Sequence, residues 1–276
     1  MNVAIIGLGL MGGSLALSLK KLDFIEQIVG YDHNEEHQDQ ALELGLVDAI
    51  ATHEEIKKSD LIFLAIPVDG VIKVMSTFTD VANDTTIIDL GSTKAKIVAS
   101  IPKRIRENFV AAHPMTGTEN FGPSAAIEGL YRGHVVVLCD LEESGQLQQN
   151  VAKKIFKALG MKKAFMRADE HDRHAAFISH MPHAISYSLA NTVMNQENKN
   201  NILALAAGGF RSMSRLAKSS PYMWEDIFRQ NKTNLLEAIG LFEDELTKLK
   251  QNIIDEQWQD LHKTIESGKK LHDILD

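Results

Sequence analysis

The sequence predicts a doubly wound α/β domain with a mostly parallel sheet, followed by an all-α domain. Three observations predict it. A glycine-rich turn, Gly7-x-Gly9-x-x-Gly12, joins a short apolar run (Val3 to Ile6) to a helical pattern. From there to residue 168, strand-like runs alternate with helix-like segments. From Asp169 the strand signals stop, and helical patterns run nearly to the end. Alternation of this kind buries a parallel sheet between two helical layers. The expected division of the 276 residues is therefore 1–168 and 169–276.

The first strand and the turn after it carry chemistry. The first glycine permits a tight turn, the second lets backbone approach a pyrophosphate, and the third lets helix and strand pack closely. The helix N-terminus then points free N–H groups at the anion. The second strand, Gln27 to Tyr31, ends at Asp32, twenty residues beyond Gly12. A carboxylate there accepts both hydroxyls of an adenosine ribose and repels a 2′-phosphate. This predicts a Rossmann-type site for NAD, formed by Gly7, Gly9, Leu10, Met11, Gly12 and Asp32.

Further strands are expected at Leu61–Ile66, Thr86–Leu90, Phe109–Ala112, His134–Leu138 and Lys163–Met166, with helices such as Glu35–Leu44 and Leu147–Ala158 between them. Ligands bind off the carboxyl ends of such strands. Ala65, Ile66 and Pro67 sit at one end and join the cofactor set; the loops DLGSTK and AAHPMTGTE sit at two others. In the last of these, His113 is a histidine able to accept a hydroxyl proton near neutral pH. Ser92, one loop away, is placed to orient that imidazole or touch the nicotinamide ribose. Lys94 is a second candidate, equally readable as a helix cap or a solvated cation.

Composition excludes several classes. A net charge of −8 argues against a nucleic-acid surface. The uncharged stretch Val3 to Leu19 lacks a basic leader and is broken by glycines and serines, so it reads as fold and not as a signal or membrane span. The expectation is a soluble, cytoplasmic protein with no membrane association. The single cysteine, Cys139, lies in the apolar run HVVVLCD and is expected to be a buried strand residue.

In the second half, Leu235, Ile239, Phe242, Leu246, Leu249 and Ile253 are spaced 4, 3, 4, 3, 4. This is the seam of a helix packed along another. It fits an internal bundle or, as preferred here, a homodimer formed through the C-terminal helices.

The segments GLGLMGGSLA, DLGSTK, HPMTGTE, HDRHAAFISHMPH and GGFRSMSRLAKSSPYMW together resemble the prephenate/arogenate dehydrogenase family of tyrosine biosynthesis, in the same order and over nearly the whole chain. The resemblance implies an NAD-dependent oxidative decarboxylation. Hydride leaves C4 of a cyclohexadienol, the 4-hydroxyl loses its proton, and the ring carboxylate departs as CO2. It implies that His113 hydrogen-bonds the substrate hydroxyl and that Ser92 orients it. Thr116, Gly117, Thr118 and Glu119 then line the substrate, Arg215 binds a carboxylate, Gly208 belongs to a glycine-rich turn, and Trp224 lies near the pocket. Arg211 either shares the task of Arg215 or pairs with an acid.

Four of the eleven histidines, His171, His174, His180 and His183, fall within thirteen residues. No HExxH or facial carboxylate accompanies them, and Pro182 interrupts any single helix face, so no metal is expected. The resemblance places His180 and His183 beside the substrate carboxylates and leaves His171 and His174 as structural residues at the domain junction. Where the family usually shows an acid, in FRDFTR, this chain reads FRSMSR with Ser212. An acid there would pair with the amino group of arogenate, so its absence favours prephenate. The alternatives are arogenate as substrate, a β-hydroxyacid dehydrogenase, and a non-catalytic NAD-sensing module. A chain of this length is expected to be the minimal form, without an added mutase or regulatory segment.

Overall fold

The computed structural model describes residues 1–275; Asp276, the last residue of the expected second domain, lies outside them. An eight-stranded sheet organises the first half: β1 Asn2–Ile6, β2 Gln27–Tyr31, β3 Ala49–Ile50, β4 Leu61–Leu64, β5 Thr86–Asp89, β6 Phe109–Pro114, β7 Val135–Cys139 and β8 Lys162–Met166. Their order across the sheet is β3-β2-β1-β4-β5-β6-β7-β8. All neighbours are parallel except β6 and β7, where Pro114 faces Val136 and Ala111 faces Cys139. The seven expected strands are present. The two-residue β3, beside Val29 and Gly30, was not expected.

Strand periodicity sorts the core into two layers. Val3 and Ile5 of β1, Leu61 and Phe63 of β4, and Val110 and Ala112 of β6 point to one face, against Leu15 and Leu19 of helix Leu10–Leu19 and Ile155 and Phe156 of helix Gln146–Ala158. Ala4 and Ile6, Ile62 and Leu64, and Phe109 and Ala111 point to the other, against Val71, Met75 and Ile97. Both faces are thus covered, which is why these strands read as continuous apolar runs. Cys139 is buried within the second layer, and burial pushes its thiol up to about 12.

The chain leaves β1 toward β2 on one side and returns to β4 on the other. The order reverses between β1 and β4, which opens a crevice at their carboxyl ends. The two loops meet there: a Cβ on Gly7, whose φ is +95°, would lie 2.3 Å from the Ala65 carbonyl oxygen.

After β8 the chain is helical. Helix Ala168–Ala175 continues through a π-helical turn, Ala176–His180, into helix Met181–Met194. Pro182 directly follows the π-helical turn, and the chain stays helical through it, so it does not interrupt the segment as the sequence suggested. The described chain divides into two compact units, Met1–Asn231 and the part from Lys232 onward. The expected change at 168/169 lies within the first unit, where the sheet ends.

In the second unit, helix Lys232–Ile254 carries the 4-3 seam, and helix Trp258–Lys269 packs against it. Along the seam Leu235 is buried and Ile239, Phe242 and Leu249 are half-buried, but Leu246 and Ile253 are 52% and 46% exposed. Among the described residues, no helix is long and apolar enough to cross a membrane.

Candidate active site

The β1–β4 crevice has the form of a pyrophosphate cradle. Gly12 is required by packing, since a Cβ there would sit 1.8 Å from the Gly7 carbonyl oxygen. Gly9 is different: the nearest atom to an added Cβ is the Gly122 nitrogen at 3.9 Å, so the chain leaves that space open. Gly9 also precedes helix Leu10–Leu19 without a side-chain cap, and the first N–H groups of the helix remain available to an anion. Leu10 is buried and Met11 half-buried in this first turn.

Asp32 is buried at the end of β2; one carboxylate oxygen accepts the Leu8 N–H at 2.9 Å and the other the Asn34 N–H at 3.0 Å. These bonds lock the acid beside the glycine turn. The imidazoles of His33 and His37 come within 3.2 and 3.6 Å of it, a pairing the glycine fingerprint gives no hint of. Ala65 donates its N–H to the Ile6 carbonyl, Ile66 packs against Gly7, and Pro67 precedes helix Val68–Thr77. The donor set, an open glycine, a free helix N-terminus and an oriented carboxylate, fits a dinucleotide.

His113 is the next-to-last residue of β6 and is half-buried. Its Nδ1 lies 2.8 Å from Nε2 of His171, whose own Nδ1 lies 2.9 Å from a carboxylate oxygen of Asp172. That carboxylate also accepts the Lys94 and Ala95 N–H groups at 2.7 and 2.9 Å. Burial is the main cause holding the His113 imidazole well below the ordinary histidine range, with His171, Lys94 and His180 adding repulsion.

Two expectations are corrected here. Lys94 is neither solvated nor a free general base: it is fully buried, paired with Asp89, and donates to the Ala112 carbonyl at 2.7 Å. His171 is bonded to His113 and is not simply a junction residue, whereas His174 is exposed. Ser92 stands at the end of β5, half-buried, and among the described residues its hydroxyl makes no hydrogen bond. The imidazole it was expected to orient is bonded to His171.

The loop after β6 runs from strand to pocket. Thr116 donates its hydroxyl to the Leu130 carbonyl, Gly117 has φ +152°, and Thr118 accepts the Asn120 N–H. Both threonine hydroxyls therefore shape the loop itself. Glu119 reaches Arg215, with 3.2 Å between Oε2 and Nη1. The two flank a cavity of about 590 Å3 whose wall also holds Phe210, Arg211, Ser214 and Lys218. Arg211 donates to the Ala206 carbonyl at 3.2 Å, not to an acid. Gly208 begins the short helix Gly208–Ser214, in place of the expected turn, and among the described residues an added Cβ would meet no other part of the chain within 4 Å.

His183 lies near enough to Arg215 to feel its charge, and His180 is fully buried one step further in. The Asn231 amide donates to His180 Nδ1, and among the described residues the buried His180 Nε2 has no partner; burial pushes this imidazole down to about 4. His183 donates Nδ1–H to the Ser179 carbonyl at 2.9 Å and stacks on Trp224 with ring centroids 3.5 Å apart. Burial, and then the Arg215 charge, lower its pKa. Trp224 is buried, and among the described residues its Nε1 has no partner. Electrostatic neighbours thus run from Arg215 through His183 and His180 to His113. Among the described residues, no group of three or more His, Cys, Asp or Glu converges to hold a metal ion.

Comparison with known proteins matches two family models, "Prephenate dehydrogenase, nucleotide-binding domain" over residues 15–164 and "Prephenate dehydrogenase, dimerization domain" over residues 167–267. The prephenate dehydrogenase of Bacillus subtilis is 31% identical over 281 residues, covering 99% of this chain and 76% of the relative. The cyclohexadienyl dehydrogenase of Zymomonas mobilis is 32% identical, covering 91% and 88%. A prephenate dehydrogenase from A. aeolicus, solved in complex with hydroxyphenyl propionate and NAD+, superposes with a TM-score of 0.92 at 31% identity, covering 100% of this chain and 98% of that one.

Proposed function

The chain belongs to the prephenate dehydrogenase family, and from that premise we propose which of its residues perform the reaction. The protein is an NAD-dependent dehydrogenase that converts prephenate to 4-hydroxyphenylpyruvate, CO2 and NADH. The bound nicotinamide supplies the hydride acceptor. Loss of CO2 leaves an aromatic ring, so the driving force lies in the substrate. What remains for the protein is to align the reactants, accept one proton and hold an anion.

His113 is the base, and the observation that carries this is its bond to His171. With Nδ1 engaged at 2.8 Å, Nε2 is the ring nitrogen left for the substrate hydroxyl. The low pKa that burial imposes keeps the imidazole neutral and able to accept. The accepted proton can return to the ring oxygen once CO2 has left, so the base is restored each turnover. Ser92, free of other bonds, serves the nicotinamide ribose. The cofactor set is Gly7, Gly9, Leu10, Met11, Gly12, Asp32, Ala65, Ile66 and Pro67.

Arg215 holds a substrate carboxylate in a fork that stays charged at any working pH. Glu119 occupies that fork when substrate is absent. His183, next to Arg215 and stacked on Trp224, adds to the substrate site with His180 behind it; Thr116, Thr118 and Gly117 shape the loop, and Gly208 begins the helix that carries Arg211. Three cations (Arg211, Arg215, Lys218) against one carboxylate (Glu119) surround the cavity. This balance suits the two carboxylates of prephenate better than the added ammonium of arogenate, and Ser212 supplies no acid to receive that ammonium.

The dimerisation model covers the helical half, and the exposed seam positions Leu246 and Ile253 are where a second copy packs. The NAD-binding region is residues 1–168 and the substrate and dimer region 169–276, in a cytoplasmic enzyme. NADH formation by purified protein, measured with prephenate and separately with arogenate, tests the reading. Turnover of prephenate alone supports it. Preference for arogenate reverses the substrate assignment, and silence with both favours a sensor or another dehydrogenase.

A further inference from the structure

The bonds behind His113 have a direction that follows from donor and acceptor chemistry. A carboxylate can only accept, so His171 Nδ1 must carry the hydrogen in its 2.9 Å contact with Asp172. With its hydrogen on Nδ1, the acceptor atom of the His171 imidazole is Nε2. Across the 2.8 Å contact, His113 Nδ1 must be the donor. His113 Nε2 is left bare, in the one tautomer that can take a proton from a hydroxyl. Had the chain ended in a donor in place of Asp172, each hydrogen would sit on the opposite nitrogen and His113 would face the substrate with N–H.

The anchor of this chain is rigid. Asp172 is buried and accepts two backbone N–H groups, from Lys94 and Ala95. Its own carbonyl accepts from the Asn231 amide at 2.6 Å. His171 is itself 2% exposed. Asp172 therefore ties helix Ala168–Ala175 to the loop that carries Ser92, and it holds His171 against His113.

We infer that His171, fixed by Asp172, is a positioning residue that sets the tautomer of His113 and shares the positive charge His113 gains in the reaction. As the substrate O–H bond breaks, an N–H bond forms at His113 Nε2. The Nδ1 hydrogen then lies between two imidazoles that face a carboxylate. The inference rests on the prephenate dehydrogenase reading for its substrate, but the tautomer itself does not depend on that reading.

Two experiments separate these. Nitrogen-15 NMR of the protein without ligands should show His113 hydrogenated at Nδ1, and His171→Leu should release it to a mixture of tautomers. A wild-type His113 hydrogenated at Nε2 overturns the inference, whatever the enzyme turns over. With prephenate and NAD, His171→Leu should lower kcat about 10–100-fold, the range for residues that orient a reacting group from behind, with little change in either KM. His171→Gln, whose amide oxygen can accept from His113, should recover part of the loss. In a His113→Asn background, His171→Leu should cost nothing further, because it acts through His113. An equal loss in both backgrounds, or an unchanged kcat in the single variant, overturns the proposal. Absence of turnover by the wild-type enzyme would instead refute the substrate reading.

Discussion

Asp226 caps a helix that begins 158 residues before it: its Oδ2 accepts the N–H of Val68 at 3.1 Å. Helix Val68–Thr77 starts directly after Pro67, which has no side chain able to cap it. The missing acceptor is supplied by helix Pro221–Gln230, where Asp226 also receives Arg229 and Gln230, each at 2.9 Å. Asp226→Ala should therefore lower stability by about 1–2 kcal/mol, the upper part of the range for a lost N-cap. It should also loosen the Ala65–Pro67 loop and weaken NAD. Urea unfolding and NAD titration measure the two effects; unchanged stability would mean that the cap is dispensable.

The fingerprint glycines should separate by mechanism. Gly9→Ala meets nothing in the protein closer than 3.9 Å, so it should fold normally and lose NAD affinity because its methyl enters the pyrophosphate path. Gly12→Ala meets backbone at 1.8 Å and should lose stability and NAD together. Thermal unfolding beside NAD titration distinguishes them. A destabilised Gly9→Ala would show that Gly9 is a packing residue.

Arg215 and Glu119 form a pair that is 54% and 24% exposed, a setting in which an ion pair contributes little to stability. Arg215→Ala should leave the melting temperature and NAD binding unchanged. It should raise KM for prephenate about 10–100-fold, the worth of one charged hydrogen bond. An unaltered KM moves the anion site elsewhere.

His113→Asn should cut kcat by about 10²–10⁴ while both KM values change little. The wild-type pH profile carries a second signature. Burial foremost, then His171, Lys94 and His180, holds His113 well below 6.5, with Asp89 and Asp172 the nearby acids. Its neutral form therefore persists through pH 6.5, and the acid limb of kcat/KM should fall below that value. A limb centred at or above 6.5 would place the base elsewhere.

His180 links stability to pH. Its imidazole is neutral and buried in the folded state, with a pKa of about 4 against 6.5 when unfolded. The unfolded chain binds the extra proton first, so stability is full above 6.5 and is lost as pH falls toward 4, on the order of a few kcal/mol at most. Unfolding curves at pH 7 and pH 5 should differ less for His180→Gln than for the wild type. Equal differences would show that other groups carry the effect.

Features that depend on local spacing were legible in the sequence. The turn Gly7-x-Gly9-x-x-Gly12 and the acid at 32 are dictated by one ligand over a short stretch, and the seven longer strands announce themselves by apolar runs. Strand β3 is missed because Ala49 and Ile50 are too few to show a period. The reversal of β7 is missed because HVVVLCD reads alike in either direction. His171 and Lys94 were misjudged for a different reason. The partners that define them, His113 and Asp172 for the first and Asp89 and Ala112 for the second, are set by where the sheet and the following helix meet, and no spacing rule spans 58 residues.

That reversal of β7 decides what packs beside the glycine turn. A strand parallel to β6 would have forced residues 115–134 to cross to the opposite end of the strands before pairing. Because Val136 faces Pro114, the segment leaves and re-enters at the same end of the strands. All of its length is spent there, where the Tyr131 hydroxyl donates to the Met11 carbonyl and the Ile127 N–H reaches Ser14. Insertions or deletions in this stretch would reshape the loop packed beside the glycine turn without shifting any strand, so that surface can change while the sheet stays as it is.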